Sequence, residues 1–212
     1  MIRDFKLDQF ITVTDSSVLN TIFRSINGLL PWQLVSNLEN VIQSVLAHLD
    51  PQDYFIDQCQ AIHKTAIVEP TAQLKGPMII GPNCFIANGS LVRGGVILDA
   101  ACTIGHGSEL KTAILFAGSK LAHLNFVGDS ILGADVNIEG GAVIANYRNE
   151  WLNKEIKVCY QNQYIATGVV KFGALIGEHS RIGANAVIAP GAIFKPNTII
   201  KRGEVVDQVE NF

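Results

Sequence analysis

Three residues stand out by type and spacing: Arg93, Lys111 and His123. Arg93 and Lys111 lie eighteen residues apart, His123 follows twelve later, and each comes directly after an apolar residue, Val92, Leu110 and Ala122. An arginine and a lysine brought side by side repel each other unless an anion sits between them. Phosphate is the natural occupant, because a guanidinium binds two of its oxygens and an ammonium acts as a point charge. The competing reading pairs each cation with a nearby carboxylate, Glu109 or Asp129, or extends it into water. An imidazole at position 123 could take up a proton near neutral pH, or simply be solvated. Of the other histidines, His48, His63, His106 and His179 show no metal-ligand spacing, and His106 with His123 would need a third ligand, so no metal is expected.

A repeat must position these groups. Stepping by six from Ile62 gives Val68, Leu74, Ile80, Ile86, Val92, Leu98, Ile104, Leu110, Phe116 and Ala122, all apolar. At half apolar content, such a run in a fixed frame arises by chance about once in two thousand tries. The pattern returns at Leu132, Ile138 and Ile144, and again from Val170 through Ile176, Ile182, Ile188, Phe194 and Ile200 to Val206. Period six fits neither a helix nor simple strand alternation. It suits short strands joined by tight corners and stacked into a parallel β-helix. The pattern resembles the hexapeptide-repeat transferases, and that resemblance implies a left-handed prism with three strands and eighteen residues per coil. Arg93 and Lys111 would then stack on adjacent strands about 4.8 Å apart. His123, two hexads on, would fall on a different face and meet them only around a corner or across a subunit boundary.

Composition narrows the class. The chain has 212 residues, 48% hydrophobic and 17% charged, with a net charge of −3. Disorder and a nucleic-acid partner are both disfavoured. Four cysteines without a CxxC pair argue against a zinc knuckle or disulfide framework. The start lacks an apolar signal core and no eighteen-residue apolar run occurs, so a cytoplasmic protein without a membrane partner is expected. Residues 1–60 read as an N-terminal helical extension and 61–212 as the β-helix, with an interrupting loop at about 146–169. Within the extension, Asp15 or Ser16 could cap a short helix ending at Gly28, and Pro31 opens a second, with Leu34, Val35, Leu38, Val41, Ile42, Val45, Leu46 and Leu49 at helical spacing. That stripe is expected to pack on the prism or seal its end. The run IKVCYQNQYIAT within the loop predicts a protruding hairpin.

A closer likeness lies in KLAHLNFVGDSILGADVNIEGGAVIANY, residues 120–147. It resembles the acetyltransferase domain of the bifunctional glucosamine-1-phosphate acetyltransferase/uridylyltransferases. It is closer still to the C-terminal domain of archaeal-type sugar-1-phosphate nucleotidylyltransferases, through TGVVKFGALIGEHSRIGANAVIAPG (167–191). The resemblance implies His123 as catalytic base and Arg93 with Lys111 on the sugar phosphate. It puts Asn137 and, with a length difference in the alignment, Lys154 at the substrate. Gly140, Asn146 and Tyr147 would line the acetyl-CoA site, and Glu109 would orient His123 or balance the cations. Phe126 stands where the family has a substrate-binding tyrosine, and Arg148-Asn149 replace an Asp-Gly turn. No part of the sequence resembles the nucleotidyltransferase domain.

The function so implied is N-acetylation of an amino-sugar 1-phosphate by acetyl-CoA in nucleotide-sugar synthesis, without a metal, in a homotrimer with sites between subunits. Lys195, Lys201 and Arg202 could attract coenzyme A phosphates or be solvated. The alternatives are an acyltransferase for another amine, such as an amino-sugar nucleotide, a non-catalytic sugar-phosphate-binding trimer, or a partner subunit of a separate nucleotidyltransferase.

Overall fold

In the computed structural model, which describes residues 5–12 and 28–209, the six-residue step becomes a triangular coil. Each turn of chain lays one short strand on each of three faces, paired in parallel with its counterpart one coil on. The first face holds Met78–Ile80, Ala174–Ile176 and Ala192–Phe194. The second holds Ile67–Val68, Phe85–Ile86, Thr103–Ile104, Lys120–Leu121, Asn137–Ile138, Arg181–Ile182 and Ile199–Ile200. The third begins at Gln73–Lys75 and ends at Val205–Val206. Three longer strands, Leu91–Leu98, Glu109–Leu115 and Phe126–Leu132, run along the third face and turn onto the first. The architecture is mainly β, a parallel solenoid of stacked coils consistent with the left-handed prism.

The inward aliphatics from Ile62 to Leu110 form one continuous core, as the six-step anticipates. Beyond Leu110 the step breaks. Leu98 pairs with Leu115 and Ile104 with Leu121, so Leu115 and Leu121 line the core rather than Phe116 and Ala122. Phe116 is buried outside the prism, and Val170 is exposed, so the last run enters the core only at Ile176. The cause is a lost residue. Strand Leu91–Leu98 carries Gly94 and Gly95 where the next strand has Thr112 alone, and the register shifts between Arg93 and Val96. The following coil keeps the short form, with Asp129 opposite Thr112. Thr112 and Asp129 hold φ of 50° and 46°, a left-handed conformation unfavourable for a β-branched residue. Thr112 Oγ1 offsets part of that cost by donating to the Gly94 carbonyl at 2.6 Å.

Helices cover the first face. The stretch opened by Pro31 is two helices, α1 (Pro31–Ser36) and α2 (Leu38–Leu46), rather than one. They part at Asn37, whose side-chain oxygen accepts from Asn40 Nδ2 at 2.8 Å, a local bond that competes with continued helix. Trp32, Leu34, Val35, Leu38, Ile42 and Val45 pack against Ile79, Ile97, Ile114 and Ile131, the outward row of the first face. The stripe therefore lies along the side of the prism and does not cap its end. The short helix expected between Asp15 and Gly28 falls outside the described residues.

The predicted hairpin forms from Lys157–Tyr160 and Gln163–Ala166. It does not simply protrude, because buried Ile156 and Val158 join the same outer cluster and Tyr160 packs edge-on to Phe5. Among the described residues no helix is long and apolar enough to cross a membrane.

Candidate functional site

Arg93 and Lys111 do stack in register on the third face. Lys75 precedes Arg93 in the same row, a third cation that sequence reasoning missed although it lies one eighteen-residue step earlier. The row ends at Gly128, the next register partner of Lys111. The repulsion is relieved by carboxylates, the reading left open by spacing alone. Arg93 Nε donates to Glu109 Oε1 at 2.7 Å and its guanidinium NH2 lies 2.6 Å from the same oxygen. Lys111 Nζ donates to Asp129 Oδ2 at 3.0 Å. Glu109 thus balances the cations and does not orient His123. The Arg93 side chain, 40% exposed, keeps donors of its fork free for an anion.

Gly128 draws the next residues together. A Cβ there would come within 2.7 Å of Asn146 Nδ2 and 2.8 Å of Phe126 Cζ, so the ring and the amide meet over its bare backbone. Asn146 Nδ2 in turn donates to Asp129 Oδ2, the oxygen already taken by Lys111. Arg93, Lys111, Phe126 and Asn146 are therefore contiguous.

His123 occupies the opposite edge of this face. It follows strand Lys120–Leu121 at the corner that leads into Phe126–Leu132. His123 thus stands at the corner between the second and third faces, the around-a-corner placement that hexad counting allows. Strand rise puts the two edges roughly 10–15 Å apart. The imidazole stands over Gly140, where a Cβ would lie 2.6 Å from Nε2. His123, Leu124, Glu139, Gly140, Gly141 and Asn185 line an open concavity of about 530 Å³. Glycine is required at 141 as well, with φ 73° and with Asn185 Oδ1 standing in the space that a Cβ would fill.

The remaining expected site residues do not join these clusters within one chain. Asn137 sits on the second face, in register between Lys120 and Arg181, and borders a separate concavity with Lys201 and Arg202. Arg202 there is engaged by Glu139 at 2.6 Å and Arg181 by Asp135 at 2.6 Å. The arginine partners and, for Asp135, also His179 hold both carboxyls below their ordinary range. Lys154 Nζ donates to the carbonyls of Arg148 and Asn149 at 3.2 and 2.6 Å and lies 5.3 Å from the Tyr147 ring centroid, so it shapes the loop it belongs to. Among the described residues no three His, Cys, Asp or Glu are grouped to hold a metal.

A parallel solenoid built on six-residue steps, with a cation row and an imidazole on opposite edges of one face, defines a hexapeptide-repeat protein. The chain belongs to the GMPPB C-terminal domain family, whose model matches residues 56–166, just over half of the sequence. It is 37% identical over 155 residues to a bifunctional sugar-1-phosphate nucleotidylyltransferase/acetyltransferase of Sulfurisphaera tokodaii, covering 65% of this chain and 38% of that one. It is 27% identical over 172 residues to the bifunctional protein GlmU of Synechococcus elongatus, covering 66% and 34%. The chain thus spans little more than a third of these relatives. Among solved structures, the acetyltransferase domain of PglB from Neisseria gonorrhoeae aligns over 88% of this chain and 73% of its own, at 17% identity and a TM-score of 0.28. A mutant GDP-perosamine N-acetyltransferase of Caulobacter crescentus with CoA and GDP-perosamine aligns over 91% and 72%, at 13% identity and a TM-score of 0.26.

Proposed function

We propose that this chain is an acetyl-CoA-dependent N-acetyltransferase acting on an amino-sugar 1-phosphate of the glucosamine- or galactosamine-1-phosphate type. The observation that carries the reading is the layout of one face, with cations at one edge and an imidazole over a glycine floor at the other. Arg93 and Lys111 would take the phosphate, Phe126 would lie under the sugar, and His123 would face the amine. Holding the amine there removes orientational freedom before reaction. His123 accepts the amine proton as the N–C bond to the thioester carbon forms. It returns that proton to the sulfur as the C–S bond breaks. The Asn185 amide, in the same concavity, is a donor for the charge developing on the thioester oxygen.

Gly140 borders the imidazole, whereas Asn146 and Tyr147 lie towards the opposite edge of the same copy. A second copy would complete the acetyl-CoA set, and the reading includes a homotrimer with the site in the groove between subunits. Residues 61–212 would form the acyl-transfer body and 1–60 its extension. The names of the relatives, which include acetyltransferases, support the chemistry.

A second reading, acetylation of an amino-sugar nucleotide, is favoured by Lys75. Its third rung adds a cation beyond the two that a monophosphate requires, and it makes no ion pair among the described residues. Lys75→Ala is expected to raise KM for a diphosphate-linked sugar several-fold and leave that for a sugar 1-phosphate unchanged, by steady-state kinetics.

The deciding experiment is thiol release from acetyl-CoA with glucosamine-1-phosphate, galactosamine-1-phosphate and an amino-sugar nucleotide, using wild type and His123→Ala. Turnover with a sugar 1-phosphate, lost in the variant, is expected. Turnover confined to the nucleotide would select the second reading. Silence with all three from a folded protein would overturn both.

A further inference from the structure

We infer that Asp129 is a positioning residue that couples the phosphate edge of the site to the loop beginning at Asn146; the inference rests on the acetyltransferase reading above. Its side chain is only 9% exposed. One oxygen, Oδ2, accepts from both Lys111 Nζ, at 3.0 Å, and Asn146 Nδ2. The first donor belongs to the phosphate row and the second opens the segment that interrupts the solenoid.

The far end of that segment reaches the same residue. Gly173 N–H donates to the Asp129 carbonyl at 2.8 Å, and Phe172 N–H donates to the Asn146 carbonyl at 3.1 Å. Both ends of the loop are thus pinned around Asp129, which holds its left-handed φ of 46°. A conformation of this kind persists at a non-glycine residue only where its surroundings over-determine it.

Oδ2 carries both bonds at once, and its negative charge is shared between the two donors. A phosphate that draws Lys111 Nζ towards itself weakens the lysine's hold on Oδ2 and leaves that oxygen to Asn146. The amide, and the start of the loop with Tyr147, are then held more firmly. Phosphate binding therefore raises affinity for the acyl donor, and by linkage the acyl donor raises affinity for phosphate by the same factor. Asparagine at 129 keeps the shape and tolerates the left-handed backbone, but its neutral oxygen is a weaker acceptor for both donors and no longer attracts the lysine charge.

The test is coenzyme A binding by calorimetry, with and without saturating glucosamine-1-phosphate, to wild type and Asp129→Asn. Wild-type affinity is expected to rise about fivefold or more with the sugar phosphate, the usual size of such coupling. In the variant the rise should vanish, in a protein that still melts cooperatively although at a lower midpoint. An equal rise in the variant overturns the inference. If Asp129→Asn does not fold, Asp129→Gly, which accepts the left-handed φ of 46° and removes the shared oxygen, should likewise abolish the rise; an unchanged rise there also overturns it. Wild type that binds no coenzyme A would instead count against the acetyltransferase reading. Amide exchange over residues 146–151 with inorganic phosphate then decides the coupling separately. Slowing in wild type but not in the variant supports it, and no slowing in wild type overturns it.

Discussion

Gly140→Ala is expected to lower acetyl-transfer kcat by about a hundredfold or more while leaving the fold intact, close to the loss caused by removing His123 itself. A Cβ at 140 would meet His123 Nε2 at 2.6 Å and Cδ2 at 2.8 Å, and the closest atoms are all on that ring. Gly140 lies outside the left-handed region, so alanine brings no backbone strain. The imidazole, exposed and without a hydrogen-bonded carboxylate among the described residues, moves aside at little conformational cost. Its proton-accepting nitrogen then no longer stands over the glycine floor. Parallel thiol-release kinetics and thermal melts check the pairing, with unchanged kcat in a folded Gly140→Ala protein as the contrary result. Loss of kcat at unchanged melting temperature would identify the shape of the floor, rather than a charged partner, as what aims His123.

Asp207→Asn is expected to reduce unfolding free energy by about 3 kcal/mol at neutral pH. The substitution leaves Arg148, whose side chain is 2% exposed, with only the exposed carboxylate of Glu150, at 3.3 Å, as an ion-pair partner. Asp207 accepts from both terminal nitrogens of the guanidinium, NH2 at 2.7 Å, and Pro190 O accepts at 2.9 Å. The plane lies over Trp151 with Cζ 4.4 Å from the ring centroid, while buried Nε has no partner among the described residues. This clamp joins the start of the interrupting segment to the last coil. The loss is placed at the lower end of the range for a broken buried pair because Asp207 is 13% exposed. Burial pushes the Asp207 carboxyl up, but hydrogen bonds from Arg148 and the Val209 N–H outweigh it and hold it below the ordinary 3.8. Its stabilisation is therefore fully present above 3.8 and disappears as pH falls through the lower, folded-state value. Urea titrations should show a constant gap between wild type and variant from pH 5 to 8, closing only in stronger acid. A gap that closes already between pH 7 and 5 would contradict this assignment.

The six-residue step in the sequence carries the solenoid and its core from Ile62 to Leu110, because each inward position needs an aliphatic and little else. It fails at Phe116 and Ala122. Losing one residue at Thr112 leaves the sequence apolar in both frames, so periodicity alone has no signal there. The cation row is legible from eighteen-residue spacing, and Lys75 follows from the same rule. That the cations pair with Glu109 and Asp129 is left open by spacing, since Asp129 falls opposite Thr112 only because the register shifts. Hexad counting leaves His123 either around a corner or across a subunit boundary, because it does not say which residues make the corners. Arg148 gives no warning of its burial; its partner Asp207 is fifty-nine positions away, beyond any local pattern.

The two helices on the first face restrict how copies of this chain can meet. A bare triangular prism has three sides through which copies could associate. With Ile79, Ile97, Ile114 and Ile131 already under α1 and α2, two unlike sides are left among the described residues, the second and the third. A ring that closes by rotation asks each member for two different surfaces, one for each neighbour. Contacts through the second and third sides satisfy that requirement and keep the helices on the rim, whereas a twofold pairing of like sides would bury only one of the two.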